Sequence, residues 1–248
     1  MAAAMAHRTE LSPPPALASF ETPALFLDFD GTLVDIADEP DAIVVPEDLA
    51  DFLVDLDERF GGRVAIVTGR SREDIERHLG RVPVCMAGSH GAAIFAADGT
   101  AVGDPALMIP DEAKERMKAF ATSQGLLFED KPHGAGLHYR AKPEMIDACV
   151  AFAEELAEEH GLAVKRGKQV IELVAPGADK GSAVKRLLEG APFAGATPIF
   201  LGDDVTDEDG FAACAKHGGF GILVGEQKET AARYHIEDVE KVRRWLTA

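Results

Sequence analysis

The sequence predicts an α/β protein with a smaller α+β segment set into it, and three observations carry that expectation. Short apolar runs alternate with amphipathic stretches from Ala24 to Ala87, and again after Pro176–Gly177. From about Pro105 to Pro176 the order changes to helix, extended, helix, extended. Acidic residues gather where apolar runs end, which is where open parallel sheets bind ligands.

Ala24–Phe29 is nearly all apolar and runs into Asp and Gly, the pattern of a strand buried on both faces of a parallel sheet. Pro46 opens an amphipathic stretch through Arg59, Gly61–Gly62 breaks it, and Val64–Val67 is a second strand leading into Thr68-Gly69-Arg70. Ser71–Leu79 reads as a helix, Val84–Ala87 as a third strand, and Gly88–Gly103 as loops with a hairpin. The middle segment predicts a helix at Asp111–Ser123, an extended region at Leu126–Arg140, a helix at Pro143–His160 and extended segments at Ala163–Val174. Alternation resumes with a helix at Lys180–Leu188, a strand at Pro198–Gly202, a helix at Asp207–Lys216 and a strand at Phe220–Val224, and the C-terminal segment completes the first unit. The expected division is a flexible leader over residues 1–19, a core of 20–104 and 177–248, and an inserted unit over 105–176.

Composition excludes several function classes. At 248 residues and 46% hydrophobic, the chain holds enough apolar mass for one large core or two modest ones. A formal charge of −18, with no Lys/Arg block, argues against nucleic acid and anionic membrane as partners. No apolar run reaches the ~20 residues of a membrane helix, and Met1–Ser19 lacks the apolar run of a signal peptide. Cys85, Cys149 and Cys214 are odd in number and have no CxxC spacing, so buried free thiols in a cytoplasmic protein are expected.

The chemistry-bearing residues stand at strand ends. Asp28-Phe29-Asp30-Gly31-Thr32-Leu33 places two carboxylates after a buried strand, and two acids this close need a cation or a shared proton. Thr68-Gly69-Arg70 ends the second strand; it is also what a turn capping the following helix looks like. Arg70 could approach an anion or hold an acidic neighbour. Lys180 opens a helix, where the dipole disfavours a cation, so function is one reason for its place. Gly202–Glu208 concentrates four acids within six residues, either a solvated helix start or a site for a hard, oxygen-liking cation such as magnesium.

These strings resemble the motifs of the haloacid dehalogenase superfamily, which implies a Rossmann-like parallel-sheet core with an inserted α+β cap domain. The resemblance implies Asp28 as nucleophile, Asp30 as general acid/base, Thr68 as phosphoryl contact and Lys180 as charge-offsetting cation. It also implies Mg2+ held by Asp28, Asp30 and Asp203, the share of Asp30 being its backbone carbonyl, with Asp204 and Asp207 as further candidates. The second Asp argues for a phosphatase over a dehalogenase, because an alkoxide leaving group needs a proton.

Within the superfamily, Glu129-Asp130-Lys131, His138-Tyr139-Arg140 and Gly167-Lys168-Gln169-Val170-Ile171-Glu172 are similar to strings of the trehalose-6-phosphate phosphatase family. That likeness implies a small sugar phosphate as substrate, met by Glu129, Lys131, Arg140, Lys168 and Glu172. Ser89-His90-Gly91 departs from the family's Glu-His-Gly, so the role of that Glu is not carried over. Alternation independently puts Lys168, Val170 and Glu172 on one face of a strand, and Gln169, Ile171 and Leu173 on the other. Such charges serve either as a hydroxyl-binding wall or as a solvated face with salt bridges. The alternative functions are a sucrose-phosphate or glycosyl-phosphoglycerate type phosphatase, and a non-catalytic phosphosugar sensor.

Overall fold

Five consecutive buried residues, Pro23–Leu27, form strand β1 at the centre of a seven-stranded sheet. Its side chains alternate between two apolar layers, so neither face can be polar. Leu25 and Leu27 pack in one cluster with Leu49, Leu53 and Leu56 of α1 (Leu49–Arg59), Ile75 of α2 (Arg72–Leu79), and Val242 and Leu246 of α7 (Val239–Thr247). Ala24 and Phe26 pack in the other with Val184 and Leu187 of α5 (Lys180–Leu188) and Phe211 of α6 (Glu208–Lys216). The computed structural model describes residues 10–37, 42–103, 108–131, 133–167 and 169–248.

On one side of β1 lie β2 (Val64–Val67), β3 (Cys85–Gly88) and β4 (Ala93–Phe95); on the other lie β9 (Thr197–Gly202), β10 (Phe220–Val224) and β11 (Tyr234–Ile236). All pairs are parallel except β3 with β4, which forms the hairpin expected in Gly88–Gly103. Strand order reverses direction at β1, so the loops leaving the carboxyl ends of β1 and β9 part and open a crevice.

The middle segment builds a second sheet, antiparallel, in the order β5 (Leu127–Lys131), β6 (Gly134–His138), β8 (Val170–Val174), β7 (Ala163–Gly167). Helices α3 (Asp111–Gln124) and α4 (Ile146–His160) cover one face, burying Met117, Ala153 and Leu156 against Leu137, Ile171 and Leu173. The opposite face of this cap turns toward the core crevice.

Three expectations need correction. Residues 10–19 of the expected leader are tied to the core: Leu17 is fully buried, His235 N donates to Ser12 O at 3.1 Å, and Trp245 Nε1 donates to Pro15 O at 2.9 Å. Gln169 lies in the β7–β8 turn at φ 65°, outside the strand, so it does not share a face with Ile171 and Leu173. The helix expected from Asp207 begins at Glu208, because the Asp204 side chain caps a separate 3-10 turn over Val205–Asp207. The expected junction at residues 104/105 lies outside the described residues. The three cysteines are buried and free, and burial pushes the Cys85 thiol up to about 12. No described helix is long and apolar enough to cross a membrane.

Candidate active site

Asp28 follows the last residue of β1, and the chain then turns back so tightly that Phe29 O accepts from Leu33 N (2.9 Å) and Val34 N (3.1 Å). Gly31 makes that turn at φ 84°, and a Cβ there would lie 2.4 Å from the Asp203 carboxylate. Glycine is therefore required twice over, for backbone conformation and for the close approach of the β9 loop.

Asp28, Asp203 and Asp207 each offer a carboxylate oxygen within 4.8 Å of the others. Lys180 stands among them, 3% exposed, its Nζ donating to Asp28 Oδ1 at 2.7 Å and to Asp207 Oδ1 at 2.6 Å. Burial, reinforced by the Asp207 charge and opposed by Lys180, holds the Asp28 carboxyl well above its usual range. Burial alone would discharge Lys180, but Asp207 and Asp28 outweigh it and keep the ammonium charged. Asp207 Oδ2 also accepts from Asp204 N at 2.9 Å, while Asp204 Oδ1 accepts from Val205 N at 2.7 Å. Asp207, one of the two less favoured metal candidates, thus belongs to the buried cluster, whereas the Asp204 carboxylate is occupied in capping.

Asp30 points its carboxylate along another direction. Arg70 grips it with a two-pronged fork, Nε to Oδ2 at 2.7 Å and Nη2 to Oδ1 at 2.8 Å, and holds Asp74 Oδ2 through Nη1 at 2.6 Å. Of the two roles left open for Arg70, holding an acidic neighbour is the one present here. The Thr68 hydroxyl accepts from Arg70 N at 3.1 Å, as a turn cap does, while also lining the crevice.

The cap supplies the roof. Asp28, Asp30, Thr68, Lys180, Asp203 and Asp204 line one cleft together with Glu129, Lys131, Arg140 and Glu172. Lys168 lies outside the described residues. Glu172 is 2% exposed and accepts from Lys131 Nζ through Oε1, while Oε2 is 2.6 Å from His90 Nε2 of the core. Burial opposes ionisation of Glu172, yet Lys131 and His90 hold its carboxyl well below the usual range. Glu129 Oε2 lies 2.8 Å from His138 Nε2 and 3.5 Å from Lys131 Nζ. Arg140 Nη1 donates to Ala37 O at 2.9 Å, joining cap to core beside the Asp28 loop.

A model of the trehalose-phosphatase family matches residues 26–240. This chain belongs to the trehalose-phosphatase family. The trehalose-6-phosphate phosphatase of Escherichia coli (strain K12) is 34% identical to it over 235 residues, 91% of this chain and 88% of that protein. The C-terminal domain of the C. albicans trehalose-6-phosphate phosphatase superposes with a TM-score of 0.80 at 24% identity, covering 92% of each chain. A Bacteroides thetaiotaomicron phosphatase of the haloalkanoate (HAD) superfamily shares the fold at a TM-score of 0.64 and 15% identity, over 94% of this chain and 96% of that one. The core is accordingly of the haloacid dehalogenase type, and the chain is a phosphatase.

Two cleft residues of this trehalose-phosphatase family member fall in strings noted from sequence but were not among the expected site residues. His138 carried a signal, since alternation places it on the face of Arg140, and it pairs with Glu129. His90 sits inside the Ser89-His90-Gly91 string, but its partner is on the cap, 82 positions away, and nothing local announces it.

Proposed function

We propose that this chain hydrolyses trehalose 6-phosphate to trehalose and inorganic phosphate through an aspartyl-phosphate on Asp28, with magnesium as its cation. One observation carries the reading: a single cleft has Asp28 and Lys180 at its floor, backed by the fully buried Asp207, and the charged row Glu129, Lys131, Arg140, Glu172 at its roof. A phosphate fits the floor, and hydroxyls, each donor and acceptor, fit the roof.

The residues suit a hard divalent ion. Asp28, Asp203 and Asp207 bring three carboxyl groups together beside a single Lys180 ammonium, a set of hard oxygen donors whose combined charge, once all are ionised, such an ion would balance. The Asp30 backbone carbonyl would join Asp28 and Asp203 as donor. When bound, the ion would supply positive charge that admits a phosphate to an acidic cleft.

The chain's own residues account for the rest. An Asp28 carboxylate oxygen attacks phosphorus, forming the acyl-phosphate bond as the phosphorus–sugar oxygen bond breaks. Asp30 gives a proton to the departing sugar oxygen, then takes one from the water that attacks the acyl-phosphate and regenerates Asp28. Lys180 holds Asp28 by one oxygen and offsets the charge that gathers on the phosphoryl group. Thr68, already accepting from Arg70 N, keeps its own hydrogen for a phosphoryl oxygen. The core of 20–104 and 177–248 and the cap of 105–176 act as two bodies that part to admit the sugar. Three buried free thiols suit a reducing cytoplasm.

The test is phosphate release from a panel of sugar phosphates with magnesium present. Preference for trehalose 6-phosphate is expected. Preference for sucrose phosphate or a glycosyl-phosphoglycerate would replace the substrate, and binding without release would make the chain a sensor.

A further inference from the structure

The loop after β3 holds three successive residues at positive φ, Ser89 at 50°, His90 at 57° and Gly91 at 92°. Side-chain-bearing residues seldom adopt this region, and two in a row persist only where surroundings impose it. Here Ser89 N donates to Arg70 O at 2.8 Å and His90 N donates to Thr68 O at 2.9 Å, fastening the loop to the end of β2. The imidazole is pressed onto Gly69, where an added Cβ would lie 2.5 Å from Cε1. The outcome of this arrangement is a close approach between core and cap, His90 Nε2 lying 2.6 Å from Glu172 Oε2, with the ring N–H not lined up on that oxygen.

That contact differs from the other bridges between core and cap. Lys165 to Asp209, at 2.9 Å, has side chains 23% and 48% exposed, where water screens the pair. His90 and Glu172 have side chains only 9% and 3% exposed. Glu172 in turn leads to Lys131, Glu129 and His138, a row of alternating charge whose other members all come from the cap. The core end of the row is His90.

We infer that His90 is a positioning residue for the sugar half of the substrate, completing the cap's charged row only when the cap is shut on the core. This rests on the reading of the chain as a sugar-phosphate phosphatase and deepens it. With the cap open, Glu172 keeps Lys131 on one oxygen and loses His90 from the other, so that second oxygen is left to water or to Lys131 itself. With the cap shut, His90 takes one Glu172 oxygen and Lys131 the other, so the remaining donors of Lys131 and the acceptors of Glu129 turn to the cleft. Recognition of the sugar and closure over the phosphate become one event, tied to the loop that carries Thr68.

Glycine is the informative replacement, because it accepts φ 57° freely while removing the ring, so H90G keeps the loop and loses the contact. Glutamine restores an N–H donor at about the reach of Nε2. The experiment measures kcat and KM for trehalose 6-phosphate and p-nitrophenyl phosphate in wild type, H90G and H90Q. It adds the distance between spin labels at D55C and L127C, on exposed positions of core and cap; the native cysteines are buried. H90G is expected to lower kcat/KM for the sugar phosphate on the order of ten- to a hundredfold, to leave the aryl phosphate within about twofold, and to lengthen the label distance. H90Q is expected to recover most of each. Equal losses on both substrates would mean that His90 serves Thr68 and the catalytic floor, and an unchanged label distance would mean that it does not hold the cap; either overturns the inference. A wild type inert on trehalose 6-phosphate but active on the aryl phosphate would sink the substrate reading alone, and the label distances would still decide the role of His90.

Discussion

Lys180 Nζ donates to Asp28 Oδ1 at 2.7 Å across 152 positions of sequence, and the same ammonium donates to Asp207 Oδ1 at 2.6 Å. Both carboxylates are buried, so this one cation links the ends of β1 and β9 with the start of α5. A lysine at a helix start opposes the helix dipole, and here two carboxylates outweigh that cost at close range. The arrangement serves chemistry and fold together.

Lys180→Met is expected to damage both. Removing one partner of a buried ion pair leaves the other charges uncompensated, typically a loss of about 3–5 kcal/mol. Phosphate release should vanish, and denaturant unfolding should show a lower midpoint. A fully stable Lys180→Met protein would contradict the assignment of Lys180 as the counter-charge for two buried carboxylates.

Asp28→Asn is expected to separate activity from stability. The amide keeps the shape but is no nucleophile, so turnover should stop. Since burial and Asp207 hold the Asp28 carboxyl above its ordinary 3.8, the folded state binds its proton more tightly than the unfolded chain does. The stability tied to that proton is fully present below 3.8 and is lost as pH rises through the raised native value. The Tm of the metal-free wild type should therefore fall with pH through this window more steeply than that of Asp28→Asn. Metal binding needs the carboxylate, so the Tm gained on adding magnesium to the wild type should grow with pH. A metal effect on Tm independent of pH, or absent, would contradict the three-carboxylate site.

Much of this centre was legible in the sequence because each motif stands directly at a strand end. Asp28, Thr68 and Asp203 follow β1, β2 and β9, and an apolar run ending in an acid or a Thr-Gly pair locates such a position without any tertiary knowledge. Alternation likewise separated Ile171 and Leu173, buried in the cap core, from Glu172 in the cleft. What alternation could not give was Gln169, because a turn residue at positive φ leaves the period of the strand. The choice among Asp203, Asp204 and Asp207 was also closed to sequence reasoning, since a 3-10 turn, not a regular helix, sets which carboxylate faces Lys180. The tie of residues 10–19 to His235 and Trp245 joins opposite ends of the chain, where no local pattern operates.

Arg70→Lys is expected to lower kcat while leaving KM for the sugar phosphate close to wild type. The fork from Nε and Nη2 fixes both oxygens of Asp30, and Nη1 is anchored on Asp74. A lysine keeps the charge but cannot hold a carboxylate by two parallel bonds, so the acid/base loses its orientation. The loss should be on the order of tenfold for trehalose 6-phosphate and smaller for p-nitrophenyl phosphate, whose phenolate departs without needing a proton. A raised KM for the sugar phosphate with kcat unchanged would instead place Arg70 in sugar recognition.

Glu129→Ala and Glu172→Ala, alike in sequence, are expected to behave differently. The Glu172 side chain is 3% exposed and enclosed by Lys131 and His90, so truncating it leaves the Lys131 ammonium and the buried His90 ring without their shared acidic partner. Breaking such a pair typically costs about 3–5 kcal/mol, and the lowered carboxyl of Glu172 has the direction expected where the fold favours its charge. Glu129 is 32% exposed, bonds His138 and Lys131 at one oxygen, and opens into the cleft. Water can replace its contacts when it is removed, so the fold should lose on the order of 1 kcal/mol or less. The sugar, however, loses an acceptor: a hydrogen bond to a charged group contributes roughly 1.5–3 kcal/mol, which is on the order of ten- to a hundredfold in kcat/KM. Glu129→Ala should therefore show that loss for trehalose 6-phosphate, an unchanged rate on p-nitrophenyl phosphate, and a Tm near wild type. Glu172→Ala should show a clearly lower Tm as well as the sugar-specific loss. Thermal melts and two-substrate kinetics on the pair decide it: equal Tm losses would mean that exposure does not separate the two glutamates, and undiminished activity of Glu129→Ala on the sugar phosphate would remove Glu129 from the binding wall.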